Sequence, residues 1–250
     1  MTDYEDRLEK ELKTAKLVQD GAMPREIPEI DGLHIATYFH PANFIGGDFL
    51  RLDGNKERNK LDILIGDVCG KGVPAALIMA VVYCLFKEKS KITQNPSELM
   101  AGVNVSLKEF LGAGSYFNST AIWGEFDLDK MIFSYADAGH DFPFHFSKAN
   151  NSVEELPSTG TLLGIFKESK YETKNITINH GDYLLFYSDG LIDFFEAYAS
   201  CDNGYRFLKD FLKTRINIDP TNIADELKLL VENNIKFATD DITVIIVKVD

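Results

Sequence analysis

The spacing of apolar residues predicts a helix at the beginning of the chain. Residues 3–23 are rich in Glu, Lys and Leu, and apolar residues recur at helical intervals along one face. The residues on this face are Leu8, Leu12, Ala15 and Ala22. Pro24 and Pro28 end the helix. Two interpretations stay open, because only about three heptads are present: a helix laid on the following domain, or the tail of a coiled-coil linker.

From residue 33 onward, short apolar or alternating stretches replace the helical spacing. They predict strands at 33–39, 45–52, 61–68, 119–126, 131–138, 142–146, 152–156, 171–178, 182–188 and 242–249. Helical spacing returns at 73–89, 96–111, 203–214 and 220–235. Many of the strands are joined by short turns, so the chain is not a series of strand–helix–strand units. We therefore predict an α+β fold of layered, mostly antiparallel sheets.

Composition narrows the classes of partner. The chain has 250 residues, enough for one substantial core, and a formal charge of −13, which opposes binding to nucleic acid or anionic lipid. Three widely separated cysteines without a C-x-x-C spacing fit a reducing compartment. The start of the chain is charged, and the longest apolar run, 73–86, is too short to cross a bilayer. We expect a cytoplasmic protein with no nucleic-acid partner and no membrane insertion.

A glycine-rich turn in residues 61–82, LDILIGDVCGKGVPAALIMAVV, raises the alternative of a nucleotide-binding loop. It is not a P-loop, because the glycine spacing is too short and Gly72 stands where a hydroxyl is required. A dinucleotide fingerprint fits Gly70, Gly72 and Ala75. However, the polar segment 87–96 follows where a second strand ending in an acid is needed. A nucleotide-binding enzyme that uses Gly70 and Gly72 is therefore the least favoured alternative.

Aspartates mark the ends of several predicted strands. Asp67 lies at the end of the predicted strand that leads into the glycine-rich turn, and Asp48 follows two glycines. Asp189 ends an apolar strand and precedes a glycine, while Asp240 and Asp241 stand directly before the last strand. Each one alone fits an ordinary turn or helix cap. Together they predict a site for Mg²⁺ or Mn²⁺, because a sheet can bring strand ends together and these ions prefer oxygen ligands.

Five short motifs occur in the order GGDF, IGDVCGKGVPAALIMA, ADAGH, YSDGLID and DDITVIIVK. In this order and spacing they resemble the metal-dependent serine/threonine phosphatases of the protein phosphatase 2C-like (PPM) superfamily. The SpoIIE-like branch, which acts in bacterial partner-switching signalling, is the most similar. The resemblance runs from Ala15 to Val249. It implies a four-layer α-β-β-α sandwich at 29–250, preceded by a regulatory or linker helix at 1–28.

The resemblance also implies a site with two Mn²⁺ or Mg²⁺ ions. Its ligands would be Asp67 as the bridge, the backbone carbonyl of Val68, Asp48 on one ion, and Asp189 with Asp240 on the other. Asp67 and Asp48 are the implied catalytic residues, and a water bridging the ions would attack a phosphoserine or phosphothreonine. Asp241 stands where many relatives have Asn, so we expect it to support the ligands rather than to join them.

Two residues depart from the pattern or lack an assigned role in it. Cys69 stands where many eukaryotic relatives carry a histidine, so a histidine acid is missing there, and we predict that the thiol packs as a small apolar residue. His140 belongs to the ADAGH motif, and a structural and a catalytic role both stay open.

The resemblance implies a phosphorylated protein substrate, most simply an anti-sigma-factor antagonist of the STAS type. The N-terminal helix would then connect the domain to an upstream sensor or to a second copy of the chain, and it would act by shifting the helix after Asp67. The alternative within the same fold is a catalytically weak regulator that only binds a phosphoprotein. The presence of all four acids disfavours it.

Overall fold

A computed structural model describes residues 3–24, 26–215 and 217–250. The helices are α1 (Asp3–Asp20), α2 (Gly72–Lys89), α3 (Pro96–Leu111), α4 (Asp189–Ala199), α5 (Gly204–Lys213) and α6 (Pro220–Asn233). The strands are β1 (Leu33–His40), β2 (Phe49–Asn55), β3 (Lys60–Val68), β4 (Ser119–Asp127), β5 (Ile132–Asp137), β6 (Phe144–Ser147), β7 (Ser152–Glu155), β8 (Lys174–Thr177), β9 (Tyr183–Tyr187) and β10 (Ile242–Val249).

The strands form two five-stranded sheets with antiparallel pairing throughout. One sheet has the order β1-β10-β9-β6-β7 and the other β2-β3-β4-β5-β8. The predicted α+β class is therefore confirmed. Strands β2, β3, β4 and β5 pair in succession. Short connections join β2 to β3 and β4 to β5, whereas α2 and α3 lie between β3 and β4.

Three apolar clusters define four layers. Between the sheets, Ile63 and Ile65 of β3 meet Phe186 of β9 and Ile245 of β10. The outer face of the second sheet, including Trp123, packs on α2 and α3. The outer face of the first sheet packs on α4, α5 and α6. Burial of both faces of each sheet explains why hydrophobic and polar residues alternate so weakly along the strands. The predicted α-β-β-α sandwich is confirmed.

Two parts of the strand and helix prediction were wrong. The segment 189–202 was assigned no element, yet it contains α4, whose Leu191, Phe194 and Phe195 are buried against the first sheet. Aromatic residues have no strong helical preference, so tertiary packing decides this helix. The strand predicted at 45–52 begins only at Phe49, because the residues before it hydrogen-bond with side chains instead of a neighbouring strand.

The N-terminal helix α1 shows an unusual burial pattern. Within residues 4–20, the structure buries a single residue, Gln19, at 8% exposure, while Leu17 and Val18 are 73% and 75% exposed. Gln19 lies on the face that the apolar spacing predicts, four residues after Ala15. Leu8 on the same face is exposed, so this face contributes little apolar burial.

Candidate metal centre

Asp67 lies at the end of β3, opposite Thr120 of β4. The Asp67 N–H donates to Thr120 Oγ1 at 3.2 Å, and Ser119 Oγ donates to the Asp67 carbonyl at 2.8 Å. These contacts fix the backbone where the strand gives way to the turn before α2. The position of the Asp67 carboxylate is thus set by a rigid sheet rather than by a loop.

Asp48 lies in the segment just before β2 and is 1% exposed. Thr243 of β10, which is fully buried, donates a hydrogen bond from its hydroxyl to Asp48 Oδ2. Burial and the nearby Asp67 carboxylate raise the pKa of Asp48 well above its usual range. The structure therefore buries an acidic group in contact with another acid, which is costly unless a cation or a proton compensates.

Two glycines allow the Asp48 segment to approach Asp67. A Cβ on Gly47 would lie 2.7 Å from the Val68 carbonyl oxygen and 2.9 Å from Asp67 Oδ1. A Cβ on Gly46 would clash with the carboxylate of Asp241. These close contacts bring together the segments that carry Asp48, Asp67 and Val68, three of the predicted metal ligands.

Asp241 holds the same segment with both of its oxygens. The Ala42 N–H donates to Asp241 Oδ1 and the Gly47 N–H donates to Asp241 Oδ2, each at 2.9 Å. Both carboxylate oxygens of Asp241 thus accept hydrogen bonds from backbone N–H groups. Ser188 Oγ donates to the Asp241 carbonyl at 3.1 Å. This hydrogen bond connects the residue before Asp189 to Asp241.

Asp189 and Asp240 are two further acids that act on the Asp67 carboxylate. Asp189 begins α4 directly after β9, and Asp240 precedes β10, the strand paired with β9. Lys71 Nζ lies 2.6 Å from Asp240 Oδ2 and donates to the Thr239 carbonyl at 3.1 Å. Lys71 thereby neutralises one carboxylate in a group that otherwise carries a large negative charge.

The electrostatics of the group fit a multivalent cation. Burial, together with Asp189, Asp240 and Asp241, raises the pKa of Asp67 to about 7. Burial and the neighbouring acids Asp141 and Asp240 raise the pKa of Asp189 to about 6. Carboxylate and carbonyl oxygens are the donors that Mg²⁺ and Mn²⁺ prefer. Three features suit such ions: the oxygen donors, the excess of negative charge, and the close approach of Gly47 to the Val68 carbonyl and the Asp67 carboxylate.

The acidic group is spread out rather than tightly closed. Over residues 3–24, 26–215 and 217–250, no three His, Cys, Asp or Glu side chains converge closely enough to form a ready-made ion cage. The fit to a divalent ion therefore rests on the donors, the charge and the close backbone approach.

A cavity of about 750 Å³ opens beside Asp67. Its lining residues are Asp67, Thr120, Gly139, His140, Asp141, Phe142, Glu155, Ser158, Asp189 and Tyr205. The lining thus contains several acids and, among the described residues, no Lys or Arg. An acidic cavity of this kind repels a phosphate ester unless bound cations offset the charge.

His140 is buried next to this cavity at 4% exposure. Its Nδ1 lies 2.8 Å from Thr120 Oγ1, the same hydroxyl that accepts from the Asp67 backbone. Its Nε2 has no hydrogen-bond partner among the described groups, and burial lowers the pKa of the ring to about 4. His140 is thus a neutral ring that supports the β4 residue next to Asp67.

Cys69 does not pack as predicted. The residue is exposed, and its thiol donates to Asn118 Oδ1 at 2.6 Å. The reason is local: the chain leaves the sheet after Val68, and the turn continues through Gly70 and Gly72, whose φ angles of 108° and 69° are left-handed. The side chain at position 69 therefore lies outside the core that begins on α2.

Four residues of the site were missed by the sequence analysis: Gln19, Lys71, Thr120 and Thr243. The two threonines are ordinary strand residues, and nothing local distinguishes them. Gln19 did carry a signal, since a polar residue interrupts an otherwise apolar helix face.

The structure provides no context for dinucleotide binding at Gly70 and Gly72. Strand β3 pairs antiparallel with both β2 and β4, whereas the fingerprint requires a parallel strand–helix–strand unit. In the part of the chain that the structure describes, no helix is both long and apolar enough to cross a membrane.

Two antiparallel sheets covered by helices on both outer faces, with aspartates beside strand ends of both sheets, define the class of PP2C-like sandwich proteins. The chain belongs to the SpoIIE family: the family model for Stage II sporulation protein E matches residues 57–250. The resemblance found in the motifs is confirmed.

Similar proteins agree with this assignment. The phosphoserine phosphatase RsbU of Bacillus subtilis (strain 168) is 27% identical over 206 residues, which are 82% of this chain and 59% of RsbU. The chain therefore spans about three fifths of that relative. The SiaA-PP2C domain of Pseudomonas aeruginosa superposes with a TM-score of 0.84 at 18% identity, covering 100% of both chains. RsbX in complex with magnesium superposes with a TM-score of 0.66 at 18% identity, over 90% of this chain and 99% of RsbX.

Proposed function

We propose that the chain is a metal-dependent protein phosphatase that hydrolyses a phosphoserine or phosphothreonine on a partner protein. The observation that carries the proposal is the approach at Gly47, which brings the Asp48 segment against Asp67 and Val68 beside an acidic cavity. Membership of the SpoIIE family and the similarity to a phosphoserine phosphatase support the same reaction.

The residues suited to hold two Mn²⁺ or Mg²⁺ ions are Asp48, Asp67, the Val68 carbonyl, Asp189 and Asp240. The magnesium complex of RsbX supports this choice of ion. When bound, such ions supply an acidified water for attack on phosphorus and offset the charge of the phosphoryl oxygens. The protein contributes position: β3 and β4 fix Asp67, and Asp241 holds the segment of Asp48.

The cavity beside Asp67 suits a single phosphorylated side chain presented by a folded partner. Because the lining holds no Lys or Arg among the described residues, phosphate recognition would depend on the bound ions. We infer that the partner is an anti-sigma-factor antagonist of the STAS type in a partner-switching pathway of the cytoplasm. Family membership carries this inference.

Residues 1–28 form the proposed regulatory or linker segment, and 29–250 the proposed catalytic domain. Between α1 and α2 an apolar groove of about 420 Å³ is lined by residues that include Val18, Val73 and Leu77. Exposed apolar residues on both helices suit contact with an upstream sensor or a second copy of the chain. Deletion of residues 1–22 should change the Mn²⁺ dependence of the activity, and an unchanged dependence would refute regulation by this segment.

The decisive experiment is hydrolysis of p-nitrophenyl phosphate and of a phosphoserine protein, with and without Mn²⁺. The variants are Asp67→Asn and Asp189→Asn, and Asp62→Asn is the control because Asp62 lies on the same strand as Asp67 but near its other end. We expect Mn²⁺-dependent hydrolysis that both site variants abolish and the control retains. Activity that survives both site substitutions would overturn the two-metal proposal. Binding of the phosphoprotein without turnover would favour the weakly catalytic regulator.

A further inference from the structure

Three aromatic side chains lie exposed around the C-terminal end of α3. Phe110 is 60% exposed, Tyr116 is 84% exposed and Phe166 is 64% exposed. We call these three residues the aromatic patch. A single exposed apolar residue is ordinary on a protein surface, whereas a group of large exposed rings is typical of a contact surface.

The segments that carry the three rings meet at Gly164. A Cβ on Gly164 would lie 3.0 Å from Leu111 Cδ1 and 3.4 Å from the Phe117 carbonyl oxygen. The end of α3 and the loop that carries Tyr116 therefore both pack against this glycine. The aromatic patch is one surface rather than three separate side chains.

Asn104 of α3 holds the chain around Phe166. Its side chain is fully buried, and its Oδ1 accepts from the Gly164 N–H at 2.9 Å. Its Nδ2 donates to the carbonyls of Phe166 and Lys167 at 2.9 and 3.2 Å. Lys167 Nζ in turn donates to Glu109 Oε1 of α3 at 2.8 Å. Phe166 is thus presented on a fixed loop, and such preorganisation lowers the entropy cost of binding.

The aromatic patch is continuous with the candidate metal centre. The Ser119 N–H donates to the Leu163 carbonyl at 3.1 Å, and the Leu163 N–H donates to the Ser119 carbonyl at 2.8 Å. The Ser119 hydroxyl also donates to the Asp67 carbonyl. Residues 163–166 therefore begin beside the strand end that carries Asp67, and Tyr116 lies three residues before Ser119. A partner whose phosphorylated side chain enters the cavity beside Asp67 would cover this patch.

Charge favours the approach of a phosphorylated partner from this side. Residues 108–118 and 163–170 together contain three lysines and two glutamates, although the whole chain has a formal charge of −13. The cavity acids that are not proposed metal ligands, Asp141 and Glu155, lie just before β6 and in β7 of the first sheet. Because a phosphoserine adds negative charge to the partner, the partner meets less repulsion over the aromatic patch than over these acids.

We propose that the aromatic patch is the docking surface for the body of the phosphoprotein substrate. The phosphorylated side chain enters the cavity beside Asp67, and an apolar surface next to it packs on the three rings. Aromatic residues are the common anchors of protein interfaces. This inference rests on the proposed function. It accounts for selection of a protein by a cavity whose described lining residues include no Lys or Arg, since the rings contact the protein around the phosphate.

Substitution of the exposed rings separates docking from catalysis. The variants are Phe110→Ser, Tyr116→Ser and Phe166→Ser, and the matched control is Ile92→Ser. Ile92 is 80% exposed but precedes the N-terminal end of α3, whereas the aromatic patch lies at the other end of this helix. The probes are p-nitrophenyl phosphate and a STAS-domain protein phosphorylated on one serine, both assayed with Mn²⁺.

Each patch variant should lower kcat/KM for the phosphoprotein about tenfold through a higher KM, because truncation of an aromatic anchor commonly costs that much affinity. The kcat/KM for p-nitrophenyl phosphate should not change, since none of the three residues lines the cavity. Ile92→Ser should match wild type with both probes. The unphosphorylated STAS-domain protein, which gives no turnover, should slow amide hydrogen exchange at residues 110–118 and 164–168 when added in excess.

The outcomes distinguish this inference from the proposed function. If wild type hydrolyses neither probe, the proposed function fails, and the exchange measurement still decides whether the aromatic patch binds the protein. Unchanged kcat/KM for the phosphoprotein in all three patch variants would overturn the docking surface, and so would an equal loss with both probes. Variants that convert a dimer into a monomer with full activity on the phosphoprotein would assign the patch to a second copy of the chain instead. Because three positions are tested, the remaining variants decide if one fails to fold.

Discussion

The ammonium group of Lys71 lies 2.6 Å from Asp240 Oδ2. A carboxylate that we propose as a metal ligand is therefore already paired with a lysine side chain. Lys71 lies in the turn between β3 and α2, and Asp240 lies just before β10. Their hydrogen bond is the main reason that the pKa of Lys71 is raised. Any divalent ion at Asp240 must therefore compete with this contact.

Lys71→Gln should strengthen metal binding. The pair is partly exposed, and such pairs contribute about 0.2–1 kcal/mol, so the Mn²⁺ concentration at half-saturation should fall up to about fivefold. Titration calorimetry measures this directly. Lys91→Gln removes an exposed ion pair with Glu88 far along the chain and should leave binding unchanged. Weaker binding in Lys71→Gln would show that the ammonium group supports the site instead of competing with the ion.

Thr243→Val should destabilise the metal-free protein. The substitution keeps the shape of the buried side chain but removes the hydroxyl that donates to Asp48 Oδ2. The loss of a donor to a buried carboxyl group costs about 1–3 kcal/mol, which urea unfolding in the presence of EDTA can measure. Thr243→Ser keeps the hydroxyl and should lose much less stability. Equal stability of the Val and Ser variants would contradict a role for this hydrogen bond.

Gly46→Ala should impair the site strongly. The new Cβ would clash with the Asp241 carboxylate, so either Asp241 or residues 41–48 must shift. Displacement of catalytic groups by about 1 Å can cost on the order of 10²-fold in rate, and we expect a loss of that size in Mn²⁺-dependent hydrolysis.

A second glycine provides the control for this prediction. Gly102 lies within α3, and the nearest atom to a Cβ there is a Lys89 side-chain carbon at 3.6 Å. Gly102→Ala should retain full activity and gain about 0.5–1 kcal/mol of stability, because alanine favours helices. A similar loss of activity in both variants would mean that the effect of Gly46→Ala is not local.

The metal-free protein should lose stability as the pH rises from about 4 to above 7. Burial raises the pKa of Asp137 to about 7 and the pKa of Asp62 to about 7. Between the ordinary aspartate pKa and these values, the folded state keeps protons that the unfolded state releases, so the free energy of unfolding falls as pH increases. The urea midpoint at several pH values, measured with EDTA present, tests this trend.

Asp137→Asn should make this pH dependence shallower. Asp137 Oδ1 accepts hydrogen bonds from the N–H groups of Gly139 and His140 and from Ser158 Oγ, and an amide oxygen can accept the same bonds. Its Oδ2 is buried and accepts no hydrogen bond from the described atoms. No donor therefore stabilises a negative charge on Oδ2, and this oxygen is free to carry the proton of the neutral acid. A slope identical to that of wild type would show that Asp137 does not titrate in this range.

Much of the architecture and most of the acidic site followed from local patterns. Apolar stretches marked the strands, although the strand predicted at 45–52 begins only at Phe49. Asp67 and Asp189 stood out because each ends an apolar run. The helix α4 could not be predicted in the same way, since its aromatic residues suit a strand as well as a helix until the first sheet covers them.

By itself, the sequence determined the α+β class, the strands of both sheets and the acidic residues at their ends, because periodicity and turn residues act over a few positions. Only the tertiary structure decided which of these residues meet. Gly47 and Asp241 are 194 positions apart, and Gln19 and Gly46 are 27 apart, yet each pair is joined by hydrogen bonds. Contacts of this kind depend on how the sheets and α1 pack, and that packing also buries Gln19 and leaves Cys69 exposed.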